Sequence, residues 1–134
     1  MKFNIITIFP KIISDYCDET ILARAQKEKI ISVNSVNLRD FTTDKHKTVD
    51  DTPYGGGAGM VLKPEPIYRA LKKLKALKKK SVRRTSRKSK VKNPKSLTIL
   101  LSPRGRQFDQ RVAEQWAKLK EITFVCGRYE GVDQ

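Results

Sequence analysis

Two glycine-containing segments follow apolar runs and contain the residues best suited to hold a ligand. Residues 102–105 and 127–131 contain glycines, which let backbone amide and carbonyl groups approach a flat ligand closely. The second segment adds an aromatic ring at Tyr129 and opposite charges at Arg128 and Glu130. Composition alone is equally compatible with two ordinary strand-to-helix turns that share a surface ion pair.

A third segment is a row of four glycines between residues 55 and 59. A phosphate-binding loop does not fit, because no Gly-Lys-Ser/Thr follows at the required spacing. A dinucleotide-binding fingerprint does not fit either, because Met60 occupies the position of the third glycine and the row follows a long loop. The row therefore indicates a ligand contact without identifying the ligand, and a flexible loop is the alternative.

Alternating strand and helix patterns surround these segments and would position them. They predict an α/β domain with a largely parallel sheet flanked by helices, in which ligands bind beyond the carboxyl ends of the strands. The unbroken apolar run 97–101 predicts a central strand, and residues 39–60 are typical of one long loop. The predicted strands are 2–9, 30–38, 97–101 and 121–126, and the predicted helices are 11–27, in one or two pieces, 65–80 and 108–119.

The 134-residue chain has a formal net charge of +15, and most of it is concentrated in one stretch. Residues 71–95, here called the basic segment, contain 13 of the 29 Lys and Arg residues and no acid, which leaves 29 − 13 = 16 bases against 14 acids elsewhere. Such a stretch attracts polyanions, nucleic acid above all. A solvated linker is the alternative. A membrane-surface role is disfavoured because the segment lacks aromatic anchors.

The remaining composition excludes several classes of protein. Hydrophobic residues make up 38% of the chain, which is more than a disordered chain contains. No apolar run approaches the roughly 20 residues of a membrane span, and the N-terminus lacks the pattern of a secretory signal, so we expect a cytoplasmic protein. The two cysteines, Cys17 and Cys126, and the single histidine, His46, do not have the spacing of zinc ligands.

The order and spacing of several motifs closely resemble the bacterial tRNA (guanine-N1)-methyltransferase family. The resemblance extends over nearly the whole chain except the basic segment, and it depends on the combination of motifs rather than on any one of them. The motifs include Asn37-Leu38-Arg39-Asp40-Phe41, Pro53-Tyr54-Gly55-Gly56-Gly57, Lys63-Pro64-Glu65-Pro66-Ile67, Leu101-Ser102-Pro103-Arg104-Gly105 and Cys126-Gly127-Arg128-Tyr129-Glu130-Gly131-Val132-Asp133.

The resemblance implies a knotted α/β methyltransferase of the SPOUT class, with a trefoil knot, that works as a homodimer. It also implies transfer of a methyl group from S-adenosylmethionine to N1 of guanosine 37 in tRNA. On the matching motifs, the implied cofactor-binding residues are Leu101, Ser102, Pro103, Gly105, Gly127, Tyr129, Glu130 and Gly131. The implied substrate-binding residues are Tyr54, Gly55, Gly57, Gly59 and Arg128.

The family also implies parts that these motifs do not include. Its general base is an aspartate of the C-terminal part, expected beyond residue 134, so no catalytic residue is assigned, and a helical C-terminal domain binds tRNA. A magnesium requirement is implied, with Glu130 as a contributor, although no metal-ligand set is assigned. We therefore expect residues 1–134 to be the N-terminal part of the methyltransferase domain, with an incomplete knot, a basic insertion at about 78–96 and no C-terminal tRNA-binding domain.

This interpretation leads to two expectations about the chain by itself. Residues 1–134 should bind S-adenosylmethionine weakly and transfer no methyl group, and the basic segment should add phosphate contacts to tRNA. The alternative is a non-catalytic RNA-binding module that uses the basic segment on an inert scaffold. Only the enzyme hypothesis predicts that S-adenosylmethionine protects the glycine-containing loops.

Overall fold

Four parallel strands form the central sheet of the computed structural model, which describes residues 1–53, 56, 58–77, 95–128 and 131–132. The strands are β1 (Lys2–Thr7), β2 (Ser32–Asn37), β5 (Ser96–Leu101) and β6 (Glu121–Cys126), and their order across the sheet is β2-β1-β6-β5. Two short strands, β3 (Asp50–Asp51) and β4 (Val61–Leu62), form a separate antiparallel pair. The predicted α/β class with a parallel sheet is confirmed.

The helices connect the parallel strands and are shorter than their apolar spacing predicts. The pattern at 11–27 forms two helices, α1 (Pro10–Cys17) and α2 (Thr20–Lys27). The other helices are α3 (Pro64–Lys73) and α4 (Gln110–Trp116), and Leu38–Phe41 is a 3₁₀ helix. None of the helices in the described ranges is long and apolar enough to cross a membrane.

The core lies between the sheet and α3. Ile6 of β1, Leu38, Val49 and Leu62 are fully or almost fully buried there. One polar cluster is buried within the sheet itself: Asn4 Nδ2 donates to Glu121 Oε1 at 2.8 Å and to Thr123 Oγ1 at 3.3 Å. These bonds satisfy the polar groups that burial would otherwise penalise.

Three predictions about the elements were wrong. The run 97–101 was predicted as a central strand, but β5 is the outermost strand on one side of the described sheet. Leu100 and Leu101 in it are each 50% exposed. The helix predicted over 65–80 ends at Lys73, since Leu74 caps it and Lys75 adopts a left-handed φ of 55°. Residues 78–94, which include most of the predicted insertion, lie outside the described part of the chain.

The third wrong prediction concerns residues 39–60, which are not an uninterrupted loop. This stretch contains the end of the 3₁₀ helix and strand β3, and Val49 within it is fully buried. The carbonyl of Val49 accepts a hydrogen bond from the amide of Lys63 at 2.8 Å. Because that bond joins residues well separated in sequence, local periodicity does not reveal it.

Candidate functional site

The carboxyl ends of the parallel strands meet at one edge of the sheet, called here the upper edge. Leu101 at the end of β5 pairs with Cys126 at the end of β6, and Val125 pairs with Ile6 of β1. The segments that follow β5 and β6 therefore begin side by side. This is the edge where ligands bind in open parallel sheets.

A tight turn follows β5 at this edge. The amide of Gly105 donates to the carbonyl of Ser102 at 3.1 Å, and the amide of Arg104 donates to Ser102 Oγ at 3.2 Å. A Cβ at position 105 would lie only 3.2 Å from the Ser102 carbonyl oxygen, so the turn favours glycine there. Both amides are engaged within the turn, and all of its residues are exposed.

Gly127 and Arg128 follow β6 directly and are exposed. Among the described atoms, a Cβ at position 127 would meet the carbonyl oxygen of Leu101, at an ordinary contact distance of 3.7 Å. The guanidinium carbon of Arg128 lies 4.8 Å from the centroid of the Phe9 ring, at the start of α1. This cation–π contact draws the segment after β6 toward the β1–α1 connection. Tyr129 and Glu130 lie outside the described residues.

Gly131 joins the segment after β6 to the short strand β4. Its carbonyl accepts a hydrogen bond from the amide of Leu62 at 2.9 Å, and the neighbouring Val132 forms a parallel bridge with Leu62. Since β4 immediately follows the glycine row, two motifs that the sequence presents separately become neighbours. Sequence reasoning missed this contact, and no local pattern indicates it.

Two glycines of the row, Gly56 and Gly59, have backbone conformations that favour glycine. Gly56 has a φ of 73° and donates its amide to the carbonyl of Pro53 at 2.9 Å, and Gly59 has a φ of 102°. Among the expected substrate-binding residues, Gly59 and Arg128 are described. Tyr54, Gly55 and Gly57 lie outside the described residues.

A cavity of about 640 Å³ beside β3 and β4 was not expected from the sequence. Its described lining includes charges of both signs and none of the residues assigned to the cofactor or the substrate. The charged lining residues are Asp44, Asp51, Glu65, Lys63 and Arg69. The length of the 39–60 stretch was the one sequence signal for such a feature.

Two aspartates in this cavity are held in the ionised form. A hydrogen bond from the amide of Thr52 and the nearby ammonium of Lys63, 3.4 Å away, lower the pKa of Asp51. Hydrogen bonds from the backbone and side chain of Thr48 lower the pKa of Asp44. Carboxylates stabilised as anions are weak proton acceptors, so neither has the character of a general base tuned to neutral pH.

The cysteines do not have the environment of a nucleophile. Burial raises the pKa of the Cys126 thiol at the end of β6, and burial followed by the charge of Asp18 raises the pKa of Cys17. Thiols shifted in this direction stay protonated at neutral pH and react slowly. Within the described ranges, no three His, Cys, Asp or Glu side chains converge as metal ligands would.

Comparisons with known proteins agree over the whole chain. The family model for tRNA (Guanine-1)-methyltransferase TrmD matches residues 1–134. A tRNA (guanine-N(1)-)-methyltransferase of Persephonella marina is 45% identical over 134 residues, covering 100% of this chain and 47% of that protein. The corresponding protein of Desulfitobacterium hafniense is 46% identical over 135 residues, covering 100% and 45%.

A solved structure gives the same result for the fold. The crystal structure of a tRNA (m1G37) methyltransferase from Aquifex aeolicus superimposes with a TM-score of 0.76 at 37% identity. The match covers 99% of this chain and 53% of that one. The chain thus spans about half the length of the relatives that it matches.

Proposed function

Because the chain belongs to the tRNA (guanine-1)-methyltransferase family, we propose that it forms part of an enzyme that methylates N1 of a guanosine in tRNA, at position 37. The methyl donor in this proposal is S-adenosylmethionine. The arrangement of three backbone segments around the end of β6 is the observation that carries the proposal. Gly127 lies against the end of β5, Arg128 contacts Phe9, and Gly131 is bonded to β4.

The residues at the upper edge fit the adenosine part of such a donor. Gly127 has no side chain, and a Cβ there would meet no described atom other than the Leu101 carbonyl oxygen within 4 Å. Half-exposed Leu101 offers apolar surface, and Ser102 and Pro103 extend it along the turn. We propose that the cofactor lies along this surface, with Gly105, Tyr129, Glu130 and Gly131 completing the contacts.

The chemistry requires alignment more than activation. S-adenosylmethionine supplies an already activated sulfonium methyl group, so the protein's task is to place guanine N1 in line with it. We propose that the glycine row, with Tyr54, Gly55, Gly57 and Gly59, lies beside the guanine, and that Arg128 contributes to holding the substrate. N1 also loses a proton, which requires a general base.

Following the family resemblance, we assign that base to a carboxylate outside residues 1–134. The chain alone should therefore transfer no methyl group to a tRNA transcript. Magnesium dependence and homodimer formation by the longer enzyme remain predictions, as does the trefoil knot.

The cofactor site is tested most simply by adding bulk at position 127. The substitution Gly127→Val should weaken binding of S-adenosylmethionine to the chain at least about tenfold, or about 1.4 kcal/mol, because the side chain would fill the open surface beside Leu101. Calorimetric titration measures the affinity.

The matched control is Ala117→Val, an exposed position after α4 and away from the upper edge. It should leave cofactor affinity unchanged, and thermal unfolding of both variants checks that they remain folded. Equal affinity of the Gly127→Val variant and the parent chain would refute the assignment of this surface.

A further inference from the structure

The opposite edge of the sheet, called here the lower edge, contains a second cleft, of about 340 Å³. Three of its lining residues are lysines and a fourth provides the N-terminal ammonium group. No carboxylate is among the described residues that line it. The lining consists of Met1, Lys2, Gln26, Lys29, Ile31, Ser32 and Lys120.

The sheet register places this cleft far from the candidate cofactor site. Lys2 pairs with both Ser32 and Glu121, and Glu121 pairs with Ser96, so all four parallel strands start at one level. Each strand has six residues, and at about 3.3 Å per residue the two edges lie about 20 Å apart. A group bound in the lower-edge cleft therefore cannot touch a base that is being methylated at the upper edge.

The hydrogen bonds and ion pairs of the described residues leave most of the positive charge around this cleft unneutralised. The ammonium of Met1 donates to the Ile30 carbonyl at 2.8 Å, which is a neutral acceptor. Lys2 pairs with Glu121 at 3.3 Å. Lys29 and Lys120 are exposed, and within the described part of the chain neither forms an ion pair.

Two further lysines extend the charge beyond the cleft. Exposed Lys118 lies two residues before Lys120, in the turn between α4 and β6. The carbonyl of Lys95, also exposed, accepts hydrogen bonds from the amides of Lys120 at 3.0 Å and Glu121 at 3.3 Å. These backbone bonds bring exposed Lys95 beside exposed Lys120 at the lower edge.

Stabilisation of helix ends does not explain this arrangement. Lysines favour the last turn of a helix because of the helix dipole. Lys29 follows the cap of α2 at Glu28, however, and Lys120 lies three residues past the cap of α4 at Ala117. In the described structure neither side chain donates to a helix carbonyl.

We propose that the lower-edge cleft, together with Lys118, binds phosphate groups of RNA at a second contact surface remote from the catalytic edge. The inference rests on the proposed function for its choice of RNA over other polyanions. Ammonium groups spaced around a concave surface match the phosphates of a folded RNA backbone, and their displacement of counterions makes binding depend on salt. The surface contacts backbone rather than the target guanine, so it affects affinity and not the chemical step.

The test compares charge removal with charge retention at the same three positions. One variant is Lys29→Gln, Lys118→Gln, Lys120→Gln, and its control is Lys29→Arg, Lys118→Arg, Lys120→Arg. Both keep the basic segment intact, so any contribution from it cancels. The probe is an unmodified tRNA transcript, and affinity is measured by fluorescence anisotropy across a salt series without S-adenosylmethionine.

The Gln variant should bind at least tenfold more weakly at low salt, and the slope of log affinity against log salt should fall by about 2, as expected for three lost contacts at about 0.7 each. The Arg variant should retain the parent affinity. Loss of binding in both variants, or in neither, would overturn the proposal, as would anionic phosphatidylserine vesicles competing with RNA for this surface.

A second variant tests the same surface in the opposite direction. Glu28→Lys replaces an exposed acid beside Lys29 with a base and should tighten binding of the transcript. Unchanged or weaker binding would contradict the proposal even if the Gln variant failed to fold. Since no methyl transfer is measured, failure here is distinguishable from failure of the proposed enzymatic function.

Discussion

Gly131 has a backbone φ of 119°, a conformation that residues with a side chain rarely adopt. Its carbonyl also receives the hydrogen bond from Leu62 that holds the segment after β6 against β4. The backbone conformation of Gly131 therefore helps to hold this segment in place beside β4. Gly127 does not have a φ in this range, and a Cβ there would lie at an ordinary contact distance of 3.7 Å from the Leu101 carbonyl oxygen.

The two glycines give a matched pair of substitutions. Gly131→Ala should destabilise the chain by about 1–3 kcal/mol, because alanine is strained at this φ. Gly127→Ala makes the same chemical change at a residue whose φ lies outside this range, and should cost much less. Urea denaturation of both variants measures the difference, and equal stability losses would contradict the role given to Gly131.

At the scale of elements, α4 is a short helix that connects the two strands nearest the cofactor surface. The carboxylate of Asp109 accepts a hydrogen bond from the amide of Val112 at 2.8 Å and caps its N-terminus. Trp116 in the same helix packs against Phe108 and Phe124, with ring centroids 5.2 Å and 6.3 Å away. A helix of seven residues depends on such contacts because isolated short helices are marginal.

Removal of the α4 cap should therefore be measurable. Asp109→Ala should lower the free energy of unfolding by about 1 kcal/mol, because one helix amide loses its acceptor. Asp109→Ser keeps an oxygen that can accept the bond and should retain most of the stability. Thermal unfolding followed by circular dichroism compares the two, and an alanine variant as stable as the serine variant would show that the cap contributes little.

The sequence predicted elements where the pattern is local. Strand β6 has the predicted bounds, and the division of 11–27 into α1 and α2 follows the spacing of its apolar residues. Edge and central strands are not distinguishable from the apolar run of β5 alone, since its position depends on which other strands pair with it. The β3–β4 pair and the Gly131–Leu62 bond also depend on partners distant in sequence.

For the candidate site, the sequence predicted the position of the loops but not their internal hydrogen bonds or the neighbouring cavity. The upper-edge position of the loops after β5 and β6 follows from strand polarity. The hydrogen bonds of the Arg104 and Gly105 amides within their own turn were not predicted, because they depend on local backbone geometry that composition does not determine. The cavity beside Lys63 was missed for the same reason as β3, which forms part of its surroundings.

At the scale of the whole molecule, the two ends of the parallel sheet have different characters. The upper edge combines glycine turns with half-exposed apolar surface at Leu100 and Leu101, and the lower edge is lined by lysines. A separation of about 20 Å would let one RNA molecule present its target base to one edge and backbone phosphates to the other. Cofactor binding and RNA affinity should then respond to different substitutions.

Hydrogen exchange of the chain with and without S-adenosylmethionine tests the central claim most directly. The account predicts that the cofactor slows exchange of backbone amides in residues 101–105 and 127–131 and leaves the lower-edge residues 29–32 and 118–120 unchanged. Exchange that is unaltered at the upper edge at saturating cofactor, or slowed only at the lower edge, would contradict the assignment of the cofactor site to the ends of β5 and β6.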